Sequence, residues 1–466
     1  MSATRGIIAA AGYVPYRRLQ RADIAKFFGS GGGKGTRAVA SYDEDTTTMG
    51  VEAARLALRS TSAHADAVLF ATADPAYLEK TNANTIHAAL RLDASLGAFD
   101  MGGAVRSGIG TLAYALRSNH NALVVASDKR SGLPTSADES ASGDAAVAIL
   151  VGEGDGVIAE LIGGAIRTEE FIDRWRTPGD ARPRQWEERF GEVQYLALSS
   201  VAWNEALHSA GISADQVDLT IVTGPHARAV KAVSGKLGVS NIADDLTSVV
   251  GQSGTAHAGL LLANALESSA PNQIIALVQI CDGCDIMLFR TTEAIAAYRP
   301  ARTVAAQIEH TADLAYGKFL SWRDQVKMEP PRRPEPNRIS ASISARTHDY
   351  KYGFVGSQDA SSGAAHLPPQ RVSRDGGHVD EMVPLPMSDI GGSIAAFTID
   401  RIAYSPSPPI AFAVVDFDNG ARLPVELCDL DTSTLAMGDR IEMTFRRLYT
   451  ADGIHNYFWK ARPLRG

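Results

Sequence analysis

Among the residues of this chain that can do chemistry, His226 stands out, because imidazole is the ordinary side chain that titrates near neutral pH. It closes the sequence Thr223-Gly224-Pro225-His226, behind an apolar run and in front of a helical pattern. Two roles fit that position: a proton carrier held in a loop stiffened by glycine and proline, or a cap on the helix that follows. Gln252, behind Gly251, offers a side-chain amide, and His257 lies one helical turn and a residue further on. Asp100 and Arg106 bracket a short glycine-containing stretch, where Asp100 is a substitute base or one half of an ion pair with Arg106. Tyr77, Lys80, Thr81 and Asn82 form a polar cluster at a helix start. Arg228, Lys231 and Lys236 are spaced so that at least two face one side of a helix, toward an anionic ligand or toward solvent.

Other motifs carry less. Cys281-Asp-Gly-Cys284 resembles half of a metal site, but the chain has only three cysteines and no second pair, so Cys281, Cys284 and the solitary Cys428 read as buried thiols. Gly29-Ser-Gly-Gly-Gly-Lys-Gly-Thr36 places its lysine one position early for a phosphate loop and reads as a surface loop. The acidic run Asp43-Glu44-Asp45 suits a helix N-terminus, where the dipole favours negative charge.

These residues are set in 466, of which 45% are hydrophobic and 21% charged, with a net charge of −8. That is chain enough for two or three domains. No apolar run approaches the roughly 18 residues of a membrane span, no signal-peptide pattern follows Met1, and a cytoplasmic location is expected. The acidic balance and lack of long basic blocks argue against nucleic acid. From Gly6 to about Arg290, apolar runs (68–72, 122–127, 145–151, 219–223, 274–280) alternate with helical patterns (48–60, 81–91, 107–117, 201–210, 226–236, 254–267), the mark of α/β layers with sheets covered on both faces. The proline-rich stretch 329–336 marks a linker, and beyond a Gly/Ser/Asp-rich segment five β-patterned stretches (393–404, 410–417, 421–427, 440–449, 457–461) fit a small five-stranded barrel.

Four segments carry a family resemblance: Ala40–Arg55 (ASYDEDTTTMGVEAAR), Ala98–Gly108 (AFDMGGAVRSG), Gly143–Gly152 (GDAAVAILVG) and Val250–Leu260 (VGQSGTAHAGL). Together they are similar to the archaeal-type 3-hydroxy-3-methylglutaryl-CoA (HMG-CoA) synthases of the thiolase superfamily. The C-terminal part, with HLPPQRV at 366–372 and NYFWKARP at 456–463, resembles the zinc-ribbon and OB-fold domain (DUF35 family) that accompanies such enzymes. The resemblance implies an αβαβα layered α/β fold with a C-terminal all-β OB-fold barrel. The expected domains are an N-terminal half at 1–165, a C-terminal half at 166–322, a linker at 323–350, a degenerate ribbon at 351–380 and the OB-fold at 381–466. It also implies an acyl-CoA ligand lying between the halves, a homodimer, and a further partner enzyme subunit as an open option.

Laid on the family pattern, the nucleophilic cysteine falls on Val105, and His-x-Pro-Asn becomes Thr223-Gly-Pro-His226. Gly-Asn becomes Gly251-Gln252, and the acidic residue at a strand end becomes Ala73, followed by Asp74. All four departures touch the chemistry while the scaffold motifs remain. The four thiolates of a zinc ribbon become Asp359, Ser362, Ser373 and Gly376, which cannot hold structural zinc, so neither metal nor cofactor is expected. The resemblance then implies catalysis without an acyl-cysteine: a retro-aldol cleavage beside a CoA thioester, with His226, Gln252, Asp100 and His257 as candidate catalytic residues. Tyr77, Lys80, Asn82, Arg106, Arg228, Lys231 and Lys236 are the candidate CoA and substrate contacts. A non-catalytic acyl-CoA-binding or scaffold subunit is the second reading, and an HMG-CoA synthase-like condensing acyltransferase the third.

Overall fold

The computed structural model describes residues 5–332 and 336–464, so the middle of the proline-rich stretch, 333–335, lies outside the described residues. The chain divides into two compact units. The first comprises the chain up to Ala40, Glu52–Asn84 and Ala94–Tyr316; the second comprises Ser41–Val51, Thr85–Asp93 and everything from Gly317 onward. No helix among the described residues is long and apolar enough to cross a membrane.

In the first unit the apolar runs become a nine-stranded mixed sheet. Its order is Leu219–Thr223, Ile274–Ile280, Cys284–Thr291, Ala159–Arg167, Arg5–Tyr13, Ala145–Glu153, Ala122–Asp128, Ala67–Ala71 and Gly97–Asp100. The strands Arg5–Tyr13 and Ala159–Arg167 join where Gly6 and Ile7 pair with Glu160 and Ala159. The helix His257–Ser268 is buried from His257 to Ala263 without a solvent face, as a helix between two layers must be, and it touches strands of both halves. The helix Ser107–Arg117 packs beside its start, where a Cβ on Gly108 would fall 2.1 Å from the Thr255 carbonyl. On the outer face of the C-terminal half, Tyr195, Ala202, Trp203 and Ala206 of the helix Glu188–Ala210 pack against Val222, Val278 and Ile286.

The strands and helices named from the sequence lie close to their expected positions, with one large difference, and the strands Arg5–Tyr13, Gly97–Asp100, Ala159–Arg167 and Cys284–Thr291 add to them. The helical pattern suggests a start at Val201, whereas the helix begins at Glu188. Gly191 and the pair Ser199-Ser200 weaken the periodicity of its first half, and Gly191 is needed there because a side chain would press on Asp173 and His226.

In the second unit, Gly392–Asp400, Ile410–Phe417, Arg422–Leu427, Arg440–Ala451 and Ile454–Pro463 close into the expected five-stranded barrel. Its interior holds Trp459, Phe445 and Phe354, with rings 5.4–5.5 Å apart. The acidic run divides its labour. Asp45 caps the helix Thr46–Leu58 by accepting from the Thr48 amide at 2.9 Å, as its place at a helix start suggests. Asp43 and Glu44 instead meet two buried cations of the barrel: Arg446 lies 3.4 Å from Asp43 and 2.9 Å from Glu44, and Lys460 lies 2.9 Å from Asp43. Asp429 and Glu426 complete the neutralisation, each at 2.6 Å.

Burial pushes the Asp43 carboxyl up, but Lys460 and Arg446 more than offset it and leave it at about 2. Its folded value lies below the unfolded one, so its contribution is present above the unfolded pKa and fades as pH falls toward 2. Asp43→Ala leaves two buried cations short of a partner and is expected to cost about 3–5 kcal/mol, read from urea denaturation at pH 7, with the difference from wild type shrinking as the pH approaches 2.

Candidate functional site

The first unit contains a cavity of about 610 Å³, within the range of small-molecule sites. Val105 lines it, at the start of the Ser107–Arg117 helix. Opposing walls come from Pro225, from Cys281 and Asp282 in the tight hairpin between Ile274–Ile280 and Cys284–Thr291, and from Asp173 and Tyr195.

Arg106 holds this geometry. Its guanidinium takes Asp285 through two nitrogens, at 2.8 and 3.2 Å, and also donates to the carbonyls of Asp282 and Arg167. The residue beside Val105 is thereby pinned to the hairpin that carries Cys281. Gly283 must be glycine: its φ is +141°, and a Cβ there would lie 2.5 Å from the Arg106 guanidinium. Asp128, fully buried, draws together the Ala73 amide at 2.7 Å, the Thr72 hydroxyl at 3.0 Å and the Thr255 amide at 2.9 Å.

The sequence-derived candidates separate on inspection. His226 lies at the expected strand-to-helix junction, but its ring is buried and both nitrogens are engaged: Nδ1 accepts from the Ala229 amide at 3.0 Å, and Nε2 donates to the Glu188 carbonyl at 2.9 Å. It is an N-cap, not an imidazole held over the cavity. Asp100 caps the helix Ala83–Ala89, accepting from the amides of Asn82 and Ala83 and from the Asn82 side chain. No Asp100–Arg106 ion pair forms, because Arg106 is spent on Asp285. Asn82 clasps the loop by bonding both the amide and the carbonyl of Tyr77, while Lys80 lies over the Tyr77 ring and donates to the Thr81 carbonyl.

Gln252 turns its amide oxygen to the Gly254 N–H at 2.6 Å. His257 is buried against Ser253, and desolvation pushes its pKa down to about 4, so it is neutral at physiological pH. Arg228, Lys231 and Lys236 are exposed on and just beyond the helix Ala227–Ser234, with Arg228 on Glu192. None of Asp100, Tyr77, Asn82, Arg106, His226, Gln252, His257 or these three cations lines the cavity.

Those that do were missed. Burial pushes the carboxyls of Asp173 and Asp282 up, and it pushes the Cys281 thiol well above its ordinary range, so the thiol is protonated. Lys129, Arg130, Arg174 and Arg176 supply the positive charge. The density of arginine and proline over 174–184 was the available signal; the contacts of Asp173 and Tyr195 had none, because they come from distant parts of the chain.

In the ribbon segment of the second unit a carboxylate gathers hydrogen bonds at the positions where the resemblance leads one to look for cysteines. Asp359 is buried, and its Oδ2 accepts from Ser362 and from His378 Nδ1, both at 2.8 Å, while Oδ1 takes the Ser361 amide. Ligand atoms of Asp359, His378 and Glu381 come within 4.8 Å of one another, a trio of metal-binding type, but the first two bind each other. Hydrogen bonds from Ser373 and His378 hold the Asp359 carboxyl below its usual range, and the Asp359 carboxylate raises His378.

Two predictions follow from this packing. His226→Ala should cost about 1–2 kcal/mol in denaturant midpoint, and His226→Asn, which caps equally well, should recover most of it. Asp359→Ala should speed hydrogen–deuterium exchange of amides between 360 and 380 at least several-fold, leaving the amides of the first unit unchanged.

Comparison with known proteins agrees with this architecture. The profile of the ChsH2 C-terminal OB-fold domain matches residues 386–446. HMG-CoA synthase of Aeropyrum pernix is 27% identical over 343 residues, 69% of this chain and 94% of that protein. The Archaeoglobus fulgidus enzyme is 26% identical over 342 residues, 69% of this chain and 99% of that protein. Among solved structures, MvaS in complex with 3-hydroxy-3-methylglutaryl coenzyme A superposes with a TM-score of 0.58 at 21% identity, covering 72% of this chain and 95% of that one. The curacin-pathway HMG synthase in complex with acetyl donor-ACP gives 0.59 at 19% identity, covering 69% and 88%. The chain is therefore similar to the HMG-CoA synthases over 69% of its length, shares the fold of the solved synthase structures, and carries a C-terminal OB-fold region that matches the ChsH2 type.

Proposed function

We propose that the cavity binds a β-hydroxyacyl-CoA and cleaves the C2–C3 bond by a retro-aldol reaction, without an acyl-enzyme. The observation that carries this reading is Val105 on the cavity wall at the position of the family's nucleophile, facing a site that keeps proton-handling groups (Asp173, Asp282, Tyr195) and one protonated thiol. A retro-aldol step needs a base for the hydroxyl and donors for the enolate oxygen, but no nucleophile. A CoA thioester is the natural ligand because the similar MvaS structure holds one, and the cations on the cavity wall suit its phosphates.

We further take the protein to act in the cytoplasm as a homodimer, without metal or cofactor. The outer strand Gly97–Asp100, with Phe99 56% exposed, leaves an open sheet edge for a second copy. One observation favours the reading as a non-catalytic acyl-CoA-binding or scaffold subunit: the imidazoles of His226 and His257 are both held in the packing.

The test is direct. Purified protein incubated with a panel of β-hydroxyacyl-CoAs should release a shortened acyl-CoA and a carbonyl product, seen by liquid chromatography and mass spectrometry, and should form no HMG-CoA from acetyl-CoA and acetoacetyl-CoA. Binding without turnover across the panel would favour the scaffold reading, and formation of HMG-CoA would overturn the proposal.

A further inference from the structure

We propose that Asp173 is the general base of the cavity, taking the β-hydroxyl proton and returning it to C2; this rests on the retro-aldol reading above. Asp173 lines the cavity, yet its side chain is 1% exposed. Oδ2 accepts from the Tyr195 hydroxyl at 3.3 Å, and that hydroxyl in turn accepts the Asp282 amide at 3.2 Å. Oδ1 has no hydrogen-bond donor. A buried carboxylate oxygen without a partner is costly, and on a residue that lines a cavity it favours a ligand group that can reach and satisfy it.

The surroundings suit a base. Desolvation raises the carboxyl, while Arg174 and the Tyr195 hydroxyl pull it back; Asp282 is the nearby like charge. Because His226 donates its Nε2 proton to Glu188, it acts as a positioning residue that shapes the pocket behind Asp173.

The step balances. Asp173 takes the hydroxyl proton, and the O–H pair becomes the carbonyl π bond. The C2–C3 pair moves to C2 as the thioester enolate, and the proton on Asp173 passes to C2. The products are a ketone or aldehyde and a shortened acyl-CoA, and no redox partner enters.

Two readouts separate this assignment from the functional reading: cleavage of β-hydroxyacyl-CoA, and solvent-deuterium exchange at C2 of a saturated acyl-CoA such as propionyl-CoA, followed by NMR. Asp173→Asn, with acyl-CoA binding retained in calorimetry, should lower both by a factor of about 10² or more. Tyr195→Phe removes a hydrogen bond from the charged form and should move the acid limb of the exchange–pH profile upward, which also tests Asp173 if Asp173→Asn does not fold. Wild-type cleavage that survives Asp173→Asn, or an acid limb unmoved by Tyr195→Phe, overturns the assignment and leaves the retro-aldol reading standing. Exchange without cleavage in the wild type, lost in Asp173→Asn, supports the base and overturns the retro-aldol reading. A wild type that neither cleaves nor exchanges overturns both.

Discussion

The cavity exists because one guanidinium fastens two distant pieces of chain. Arg106 sits next to Val105 and grips Asp285, with the Asp282 and Arg167 carbonyls as further acceptors. Its fork geometry makes this a directional clamp as well as a charge pair, which lysine would not reproduce. Through it the N-terminal half, which contributes Val105, and the C-terminal half, which contributes Cys281 and Asp282, share one wall. Asp128 does the same for the neighbouring corner, joining the Thr72-Ala73 strand end to the turn at Gly254 and Thr255. At both corners a charged side chain shapes the walls and is not itself the ligand contact.

Buried carboxylates organise the polar interior of both units. In the first unit Val105 gives the cavity an apolar wall, and Asp173 and Asp282 are carboxyls raised by burial. In the second unit Asp359 gathers Ser362 and His378 around the centre of a ribbon without cysteines. Hydrogen bonds to a carboxylate are directional and depend on the protonation of their partners. The three remaining thiols are buried, and burial raises each of them, so none of them offers a ready nucleophile.

The barrel shows how charge can specify a fold without being its main source of stability. Arg446 and Lys460 are fully buried among Asp43, Glu44, Glu426 and Asp429. Desolvating so many charges roughly offsets their attraction, while any rearrangement that separated them would leave a buried charge unpaired. The segment Ser41–Val51 thus belongs with the barrel although it lies far from it in sequence.

By itself the sequence determined the layers and the barrel. Runs such as Ile274–Ile280, apolar except for Gln279, read as strands covered on both faces, and the five β-patterned stretches from Ser393 onward fit a closed barrel. It also singled out Val105, which lines the cavity. Tertiary structure decided which polar groups face the ligand. His226, Asp100 and Gln252 sit where local pattern put them, yet each spends its polar atoms on a backbone amide within a few residues or in the next element. Asp173 and Tyr195 carry no local signature, and their meeting with Asp282 depends on long-range packing of a helix whose first half the pattern did not reveal. Periodicity reports which face of an element is buried; whether a buried polar atom is satisfied depends on partners that only the assembled fold supplies.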